Sequence, residues 1–250
     1  MAKFYIVGAG PGDPGLLTIR AAEALRTADV VLYDRLVSED VLNLLKSTAQ
    51  KIFVGKHPGE QDQVQHDIYK QFLNLAKEDK TVVRLKGGDP MIFGRGAEEW
   101  LFLKELGAEV ELIPGVSSAI GVPGRVGIPL TAREVSRSFS VVTGHCCGAD
   151  KVDWSKYANI DTLVVLMGVK ERAHIASELI ASGREPSQPV AFVENGSLPN
   201  ERVVYATLGA VAAGSVEASS PAVFVIGDVV EFGKEVLDKV QSSAVEACSV

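Results

Sequence analysis

Two turns rich in glycine, proline and aspartate contain the residues of this chain best suited to hold a small ligand. They are Gly8-Ala-Gly-Pro-Gly-Asp-Pro14 and Gly87-Gly-Asp-Pro90, and each follows a short apolar run. Glycine at the end of a strand lets the main chain approach a ligand closely, because no side chain intervenes. A carboxylate beside it suits an amino group or hydroxyls rather than a phosphate. A methionine-type ligand with an amino group, a ribose and a sulfonium cation fits such turns.

The glycine spacing of the first turn also raises the alternative of a dinucleotide site. Gly8, Gly10 and Gly12 follow an apolar run, and Asp34 ends the next one, where a ribose-binding acid would lie. A dinucleotide turn holds the pyrophosphate with backbone N–H groups at a helix N-terminus, and Pro11 has no N–H. The sequence therefore favours the non-phosphorylated ligand, while a dinucleotide site and a purely structural turn stay open.

Apolar runs alternate with stretches of helical spacing in the first half of the chain. We expect strands near residues 3–8, 29–34, 51–54, 81–86 and 109–113. We expect helices near residues 15–27, 38–46, 62–78 and 95–106. Strands separated by helices predict a mostly parallel sheet with right-handed crossovers, in which ligands bind at the carboxyl ends of the strands.

The pattern changes after Ile113, where a stretch rich in Gly, Pro and Arg leads to a second series of strands. We therefore expect two α/β domains, residues 1–114 and 115–250. In the second domain we expect strands near residues 139–143, 162–166, 189–194, 202–206 and 222–226, and helices near 170–182, 207–213 and 231–242. A short loop joins the third and fourth of these strands, which favours antiparallel neighbours and a mixed sheet.

Charge and cysteine content limit the classes of protein. The formal net charge of -7 argues against a nucleic-acid binder. No apolar stretch approaches the roughly 18–20 residues of a membrane span, and a strand beginning near Lys3 leaves no room for a leader peptide. Cys146, Cys147 and Cys248 form no disulfide framework, so we expect a reducing cytoplasm. Adjacent cysteines also lack the usual spacing of zinc ligands, and we expect no metal.

Further motifs follow the first turn in a fixed order along the chain. They are Leu32-Tyr-Asp-Arg-Leu-Val-Ser38, Gly55-Lys56, Val83-Arg-Leu-Lys-Gly-Gly-Asp-Pro90, Phe93-Gly-Arg-Gly96, Pro114-Gly-Val-Ser-Ser-Ala119, Gly127-Ile-Pro-Leu-Thr131, Val142-Thr-Gly-His145 and Val193-Glu-Asn-Gly196. Over about residues 3–230 the chain closely resembles the uroporphyrinogen-III C-methyltransferases, a branch of the tetrapyrrole methylase family. The form Gly-Gly-Asp-Pro-x-x-Phe-Gly-Arg-Gly is specific, because it separates this branch from the methylases of later precorrins.

The resemblance implies an activity and an architecture. It implies S-adenosyl-L-methionine as methyl donor, S-adenosyl-L-homocysteine as its product, and two successive methylations of uroporphyrinogen III at carbons 2 and 7. The product is then precorrin-2, reached through precorrin-1, which feeds siroheme or cobalamin biosynthesis. The resemblance also implies two α/β domains with the cofactor in a cleft between them, a homodimer, and a chain without the siroheme-synthase segment of some relatives.

The resemblance also assigns roles to residues of this chain. Positions that match cofactor contacts are Pro11, Gly87, Gly88, Asp89, Ile92, Ser117, Ser118, Met167 and Gly196. Asp34 matches the proposed proton acceptor and Lys56 the proposed donor. Arg95, Glu98 and Arg133 match positions that handle the substrate, and we place Arg95 with the catalytic pair. From the residues alone, Asp34 has the alternative of capping a helix or turn, Lys56 is better explained as an ordinary solvated lysine, and Met167 would be a core residue.

The implied substrate carries eight carboxylates, which an acidic protein must offset locally. Basic residues near the motifs are Arg35, Lys56, Arg84, Lys86, Arg95, Arg125, Arg133 and Arg137. Arginine can bind carboxylates in bidentate fashion. We favour Arg95 and Arg133, which lie among glycines and prolines, whereas Arg84 and Lys86 alternate within one strand and could simply share a face.

Three departures from the family pattern concern the substrate rather than the cofactor. Ala132 and Gln61 stand where relatives usually carry histidine, and Gly124-Arg125-Val126 replaces a run of smaller side chains. The alternatives to uroporphyrinogen III methylation are a methylase of a later precorrin intermediate, a nicotinamide-dependent oxidoreductase, and a tetrapyrrole carrier without turnover.

Overall fold

The computed structural model describes residues 2–55, 61–145 and 152–247, without the side chains of 61–64 and 240–247. The chain divides into two units, Met1–Ser118 and Ala119–Val250. The division therefore falls after Ser118, whereas the sequence places the domain boundary after Pro114.

The first unit contains a five-stranded sheet whose strands are all parallel. Its strands are β1 (Lys3–Gly8), β2 (Val30–Tyr33), β3 (Gln50–Phe53), β4 (Thr81–Lys86) and β5 (Glu109–Ile113), and their order is β3-β2-β4-β1-β5. Its helices are α1 (Ile19–Thr27), α2 (Glu39–Leu42), α3 (Gln61–Leu75) and α4 (Gly96–Glu105). The predicted parallel sheet is confirmed.

The helix α1 begins later than the apolar pattern indicates, because polar side chains cap a turn before it and then the helix itself. Asp13 caps a 3-10 turn at Pro14–Leu16, and the hydroxyl of Thr18 then accepts the N–H of Ala21 at 3.1 Å, so α1 starts at Ile19. The predicted start near residue 15 was therefore too early, since hydrophobic spacing alone does not separate a capping turn from the helix. Ser38 caps α2, which starts at Glu39 as predicted but ends at Leu42, before the predicted end near residue 46.

Apolar side chains cover both faces of the first sheet. On one face Leu25 of α1 is fully buried with Val31 and Val83. On the other, Phe72 of α3 packs against Phe4 with ring centroids 5.7 Å apart. Burial on both faces is what a parallel sheet covered by helices requires. With both faces of the sheet covered, the strand ends and their loops are the expected place for a ligand.

The second unit contains a mixed sheet, as predicted. Its strands are β6 (Phe139–Thr143), β7 (Thr162–Leu166), β8 (Pro189–Glu194), β9 (Arg202–Thr207) and β10 (Ala222–Ile226), in the order β6-β7-β10-β8-β9. The pair β6–β7 is parallel and the other pairs are antiparallel. The remaining helices are α5 (Ser118–Arg125), α6 (Arg172–Ala181), α7 (Leu208–Ala212) and α8 (Val229–Ala247), the last longer than predicted.

Strand direction in the second unit brings two loops to one edge of the sheet. Both β7 and β8 run antiparallel to β10, so their carboxyl ends lie at the same edge. Met167 follows β7 there and Gly196 lies just beyond β8. Within the described part of the chain, no helix has the length and apolar character needed to cross a membrane.

Candidate functional site

The loops that follow β1, β4 and β5 touch one another through glycine main chain. We call residues 8–12, 87–90 and 114–118 the three-loop cluster. A Cβ on Gly115 would lie 2.4 Å from the carbonyl oxygen of Gly88, and a Cβ on Gly8 would lie 2.5 Å from the nitrogen of Gly115. No side chain fits at such distances. Glycine is therefore required where β1 lies between β4 and β5.

Hydrogen bonds between main chains join the first two loops. The N–H of Gly88 donates to the carbonyl of Gly10 at 2.7 Å, and the N–H of Gly10 donates back to Gly88 at 3.2 Å. Both residues have positive φ, +67° for Gly10 and +69° for Gly88, which glycine adopts without strain. The reciprocal pair places Pro11, the next residue, directly beside the loop that contains Gly88.

Asp89 clamps the third loop to the second. Its Oδ1 accepts the N–H of Met91 at 2.8 Å, and its Oδ2 accepts the N–H of Gly115 at 3.0 Å. The sequence suggests instead that this carboxylate faces an amino group or hydroxyls of a ligand. Each oxygen retains one further acceptor position, so the clamp leaves room for a ligand contact. The structural role of Asp89 was not foreseen, because its partner Gly115 lies in a separate loop.

Other predicted cofactor positions border the same cluster. The nitrogen of Ser118 lies 3.7 Å from where a Cβ on Gly88 would be, and Ser117 is buried beside it. A Cβ on Gly87 would lie 2.7 Å from Cβ of Leu36, so the loop after β2 packs against this glycine. Ile92 follows the clamp and is 38% exposed. The structure thus brings Pro11, Gly87, Gly88, Asp89, Ile92, Ser117 and Ser118 together in the first unit.

Asp34 lies at the carboxyl end of β2, next to the cluster. Its Oδ1 accepts the N–H of Leu36 at 3.1 Å, which is the turn-capping contact that the sequence left open. Its Oδ2 lies 3.7 Å from Nη2 of Arg84. The hydroxyl of Ser38 donates to the carbonyl of Gly12 at 2.6 Å and ties this loop to the loop after β1. The Asp34 side chain remains 26% exposed.

A buried group of charges lies between β4 and α4. The side chains of Arg84 and Lys86 are 4% and 5% exposed, and that of Glu99 is fully buried. Lys86 Nζ donates to Oε1 of Glu99 at 2.8 Å, and Arg84 Nε lies 3.3 Å from Oε2. Arg84 and Lys86 thus share one face of β4, as the sequence allowed, and both pair with Glu99. No local sequence pattern indicates that Glu99 takes this position, because its partners lie on another element.

Burial changes the acidity of one member of this group. Loss of hydration and, second, the charge of Arg84 lower the pKa of Lys86 from 10.5 to about 8, although Glu99 and Asp34 oppose the shift. The lysine therefore holds its proton less firmly than an exposed lysine does.

Arg95 and Glu98, both assigned to the substrate, bind each other. Arg95 Nη2 lies 2.6 Å from Oε2 of Glu98, and its Nε donates to the same carboxylate at 3.0 Å. Arg95 has φ +57°, a left-handed conformation that costs energy in a residue with a side chain. The pair stands at the start of α4, with Arg95 37% and Glu98 51% exposed.

Arg133 lies at the tip of a tight loop in the second unit. Ala132 and Ser136 exchange main-chain hydrogen bonds of 2.9 and 3.1 Å across this loop. The Ser136 hydroxyl contacts Oγ1 of Thr162 at 2.9 Å and anchors the loop to β7. Beside it is an open depression of about 540 Å³, lined by Thr131, Ala132, Arg133, Glu134, Ser136 and Arg137.

Two further predicted cofactor contacts, Met167 and Gly196, belong to the second unit. Met167 has φ +57° and is 52% exposed, so its reading as a core residue was wrong. A Cβ on Gly196 would lie 2.4 Å from Cγ1 of Val122, which explains the glycine by packing. The contact of either residue with a cofactor stays a prediction.

Some sequence predictions concern residues outside the described ranges. Lys56, Cys146 and Cys147 are among them, so the proposed proton donor and the adjacent thiols carry no structural statement. In residues 2–55, 61–145 and 152–247, His, Cys, Asp and Glu side chains form no group of three or more that could hold a metal ion.

Comparison with known proteins gives matches along nearly the whole chain. The family described as Tetrapyrrole (Corrin/Porphyrin) Methylases matches residues 3–212. A uroporphyrinogen-III C-methyltransferase of Methanocaldococcus jannaschii is 47% identical over 234 residues, which cover 91% of this chain and 96% of that protein. Siroheme synthase 1 of Yersinia enterocolitica is 43% identical over 233 residues, covering 92% of this chain and 49% of that protein. The chain thus spans about half the length of the siroheme synthase.

A solved structure is similar in both sequence and fold. It is a uroporphyrin-III C-methyl transferase from Thermus thermophilus complexed with S-adenyl homocysteine. The TM-score is 0.81 and the identity 47%, over 91% of this chain and 93% of that one. This match confirms the α/β fold class expected from the sequence.

The glycine contact predicts a stability effect for Gly115→Ala. The added Cβ would force the third loop away from Gly88, and we expect the free energy of unfolding to fall by about 1–3 kcal/mol, as for other overpacked sites. Denaturant unfolding measures it. Gly124→Ala is the control, because Gly124 lies in α5 with nothing within 4 Å of a Cβ. An equal change in the free energy of unfolding for Gly115→Ala and Gly124→Ala would contradict the close contact between Gly115 and Gly88.

The pKa of Lys86 predicts a pH dependence of stability. The folded state gives up the Lys86 proton at pH about 8, whereas an ordinary lysine keeps it to 10.5, so unfolding takes up a proton between these values. The free energy of unfolding should therefore rise with pH in this window, by about 3 kcal/mol, relative to Lys86→Met.

Chemical denaturation at several pH values checks this. Lys104→Met, at an exposed position of α4, is the control. Its free energy of unfolding should change with pH in the same way as that of the unmodified chain. The contrary outcome concerns the difference in the free energy of unfolding between the unmodified chain and Lys86→Met. If that difference is the same at pH 8 and at pH 10.5, Lys86 keeps an ordinary pKa.

Proposed function

The chain belongs to the tetrapyrrole (corrin/porphyrin) methylase family, and from this premise we propose that it methylates uroporphyrinogen III at carbons 2 and 7. The methyl donor is S-adenosyl-L-methionine, and the product is precorrin-2 formed through precorrin-1. The observation that carries the proposal is the 47% identity to a uroporphyrinogen-III C-methyltransferase over 96% of that protein. Identity over nearly the whole of both chains supports a shared substrate better than identity within one shared domain.

The three-loop cluster fits the nucleoside of the methyl donor. Its glycines have no side chains that would separate the main chain from a ligand. Asp89 keeps acceptor positions for an amino group or a hydroxyl. The first turn fits a dinucleotide poorly. Pro11 has no N–H, and α1 begins only at Ile19, so the glycine run does not lead directly into a helix N-terminus. We propose that Pro11, Gly87, Gly88, Asp89, Ile92, Ser117 and Ser118 hold the donor, with Met167 and Gly196 as further contacts.

The bound donor supplies a methyl group on a cationic sulfur to an electron-rich pyrrole carbon. The protein's contribution is mainly alignment, which can supply ~7–11 kcal/mol of the barrier. Asp34 accepts the proton that the ring gives up after methylation, and its partly exposed carboxylate at a strand end supports this role. We keep Lys56 as the proposed proton donor on the resemblance alone. An acid–base pair of this kind contributes typically ~100- to 10,000-fold.

The substrate's carboxylates need cations that the buried charges cannot provide. Arg95 and Arg133 are exposed and stand on constrained loops, so we propose that both bind carboxylates of the tetrapyrrole. Glu98 holds the Arg95 guanidinium by two of its nitrogens and thereby sets its orientation toward the substrate. We further propose a cytoplasmic homodimer. The resemblance supports the dimer, and three cysteines without a disulfide pattern support a reducing compartment.

Two measurements on the unmodified protein test the proposed function. Calorimetry should detect binding of S-adenosyl-L-homocysteine and no binding of NADH. Mass spectrometry should show uroporphyrinogen III gaining two methyl groups. Binding of the nucleoside with turnover only of a later precorrin would assign the enzyme to that step. Binding of a tetrapyrrole without any turnover would indicate a carrier.

The role of Asp34 predicts the effect of Asp34→Asn. The amide cannot accept the proton, so we expect kcat to fall at least ~100-fold, with unchanged affinity for S-adenosyl-L-homocysteine. Single-turnover methylation and calorimetry measure the two quantities. Asp40→Asn, at an exposed position of α2, is the control and should retain activity. Full activity of Asp34→Asn would remove Asp34 from the mechanism.

A further inference from the structure

One face of strand β4 changes from an apolar residue to charged residues toward the carboxyl end of the strand. Val82, Arg84 and Lys86 share this face because side chains alternate along a strand, and all three are buried. Arg84 is in register with Ile6 of β1 and Leu32 of β2, which are fully buried apolar residues. The neighbouring strands therefore place apolar side chains beside Arg84, whereas β4 itself contributes a charged one.

Stability does not account for these charges. Burying an ion pair costs much of what the attraction returns, and apolar residues of similar size often serve as well or better. Val82 already fills the preceding position of the same face. The charges begin only next to Asp34, at the end of the sheet where the loops form the candidate site. Their position therefore points to a role at that end.

The guanidinium of Arg84 is fixed by several contacts. Its Nη1 donates to the carbonyl oxygen of Leu85 at 3.0 Å and lies 3.4 Å from that of Leu32. Its Nε faces the carboxylate of Glu99, which Lys86 holds from the other side at 2.8 Å. Because the guanidinium is planar and rigid, these contacts also fix the direction of Nη2. Nη2 is the atom that lies 3.7 Å from Oδ2 of Asp34.

Asp34 thus has a hydrogen bond at one oxygen and a longer ion-pair contact, of 3.7 Å, at the other. The N–H of Leu36 bonds Oδ1, and the Arg84 guanidinium faces Oδ2. Arg84, Lys86 and Glu99 are the charged groups of β4 and α4 around this carboxylate, with two positive charges against two negative ones when Asp34 is counted.

We propose that Arg84 is a positioning residue for Asp34, and that Glu99, braced by Lys86, holds Arg84 in place for this purpose. The carboxylate then presents its exposed side to the reacting ring in one orientation. The inference rests on the proposed function in so far as Asp34 is the proton acceptor. Displacement of a catalytic group by about 1 Å can cost on the order of 100-fold in rate.

Arg84→Met tests this in the full-length protein, because it removes the charge and the fork but leaves Glu99 paired with Lys86. We expect kcat to fall ~10- to 100-fold, with KM for uroporphyrinogen III and affinity for S-adenosyl-L-homocysteine unchanged. Arg84→Lys retains a cation and should recover part of kcat. Arg184→Met is the matched control, because Arg184 is also buried and bonds main-chain carbonyls, of Tyr157 and Ile160, in the second unit.

A second readout does not depend on turnover. The amide of Leu36 reports on the carboxylate that it bonds, so its NMR signal should move in Arg84→Met and stay in place in Arg184→Met. An unchanged Leu36 signal, or equal losses of kcat in Arg84→Met and Arg184→Met, would overturn the proposal. An unmodified protein that binds no S-adenosyl-L-homocysteine and methylates nothing would contradict the proposed function instead, while the Leu36 signal would still decide whether Arg84 orients Asp34.

Discussion

Contact between glycine main chains is the constraint on which the candidate site depends. Gly8 and Gly115 lie so close to neighbouring loops that a Cβ on either would overlap a main-chain atom, which for Gly115 is the carbonyl oxygen of Gly88. The three loops can therefore pack this closely only because glycine stands at the contacts. Asp89 then fixes the third loop with two hydrogen bonds. A surface made of main chain in this way is rigid before any ligand arrives, which reduces the ordering cost of binding.

Charge in the first unit is divided between two environments. The pair of Arg95 and Glu98 is partly exposed, and water screens the attraction between its two groups. The group of Arg84, Lys86 and Glu99 is buried, and separating its members would leave an uncompensated charge in the core. The buried charges are therefore fixed in place, whereas the exposed pair can move at small cost.

The sequence predicted the strands well because each is a short apolar run with clear ends, and β1, β4 and β5 have the predicted bounds. The start of α1 was predicted less accurately, because the capping hydroxyl of Thr18 places it at Ile19. The loops of the candidate site were found from glycine and proline content, whereas the roles of Asp34 and Arg133 come from the resemblance alone and stay predictions. Contacts across the fold could not be predicted. The burial of Arg84 depends on Glu99 of another element, and the exposure of Met167 depends on a left-handed backbone that no local pattern indicates.

The strand order has a consequence for how the protein is made. β1 is synthesised first, yet it lies between β4 and β5, the last two strands of its unit. Both of its hydrogen-bonding edges stay unpaired while the intervening segments leave the ribosome, and such edges invite wrong partners. Pairing over so long a stretch of sequence is also slow. The nascent first unit therefore has a period in which its central strand is vulnerable to aggregation, and this period ends only when β5 has emerged.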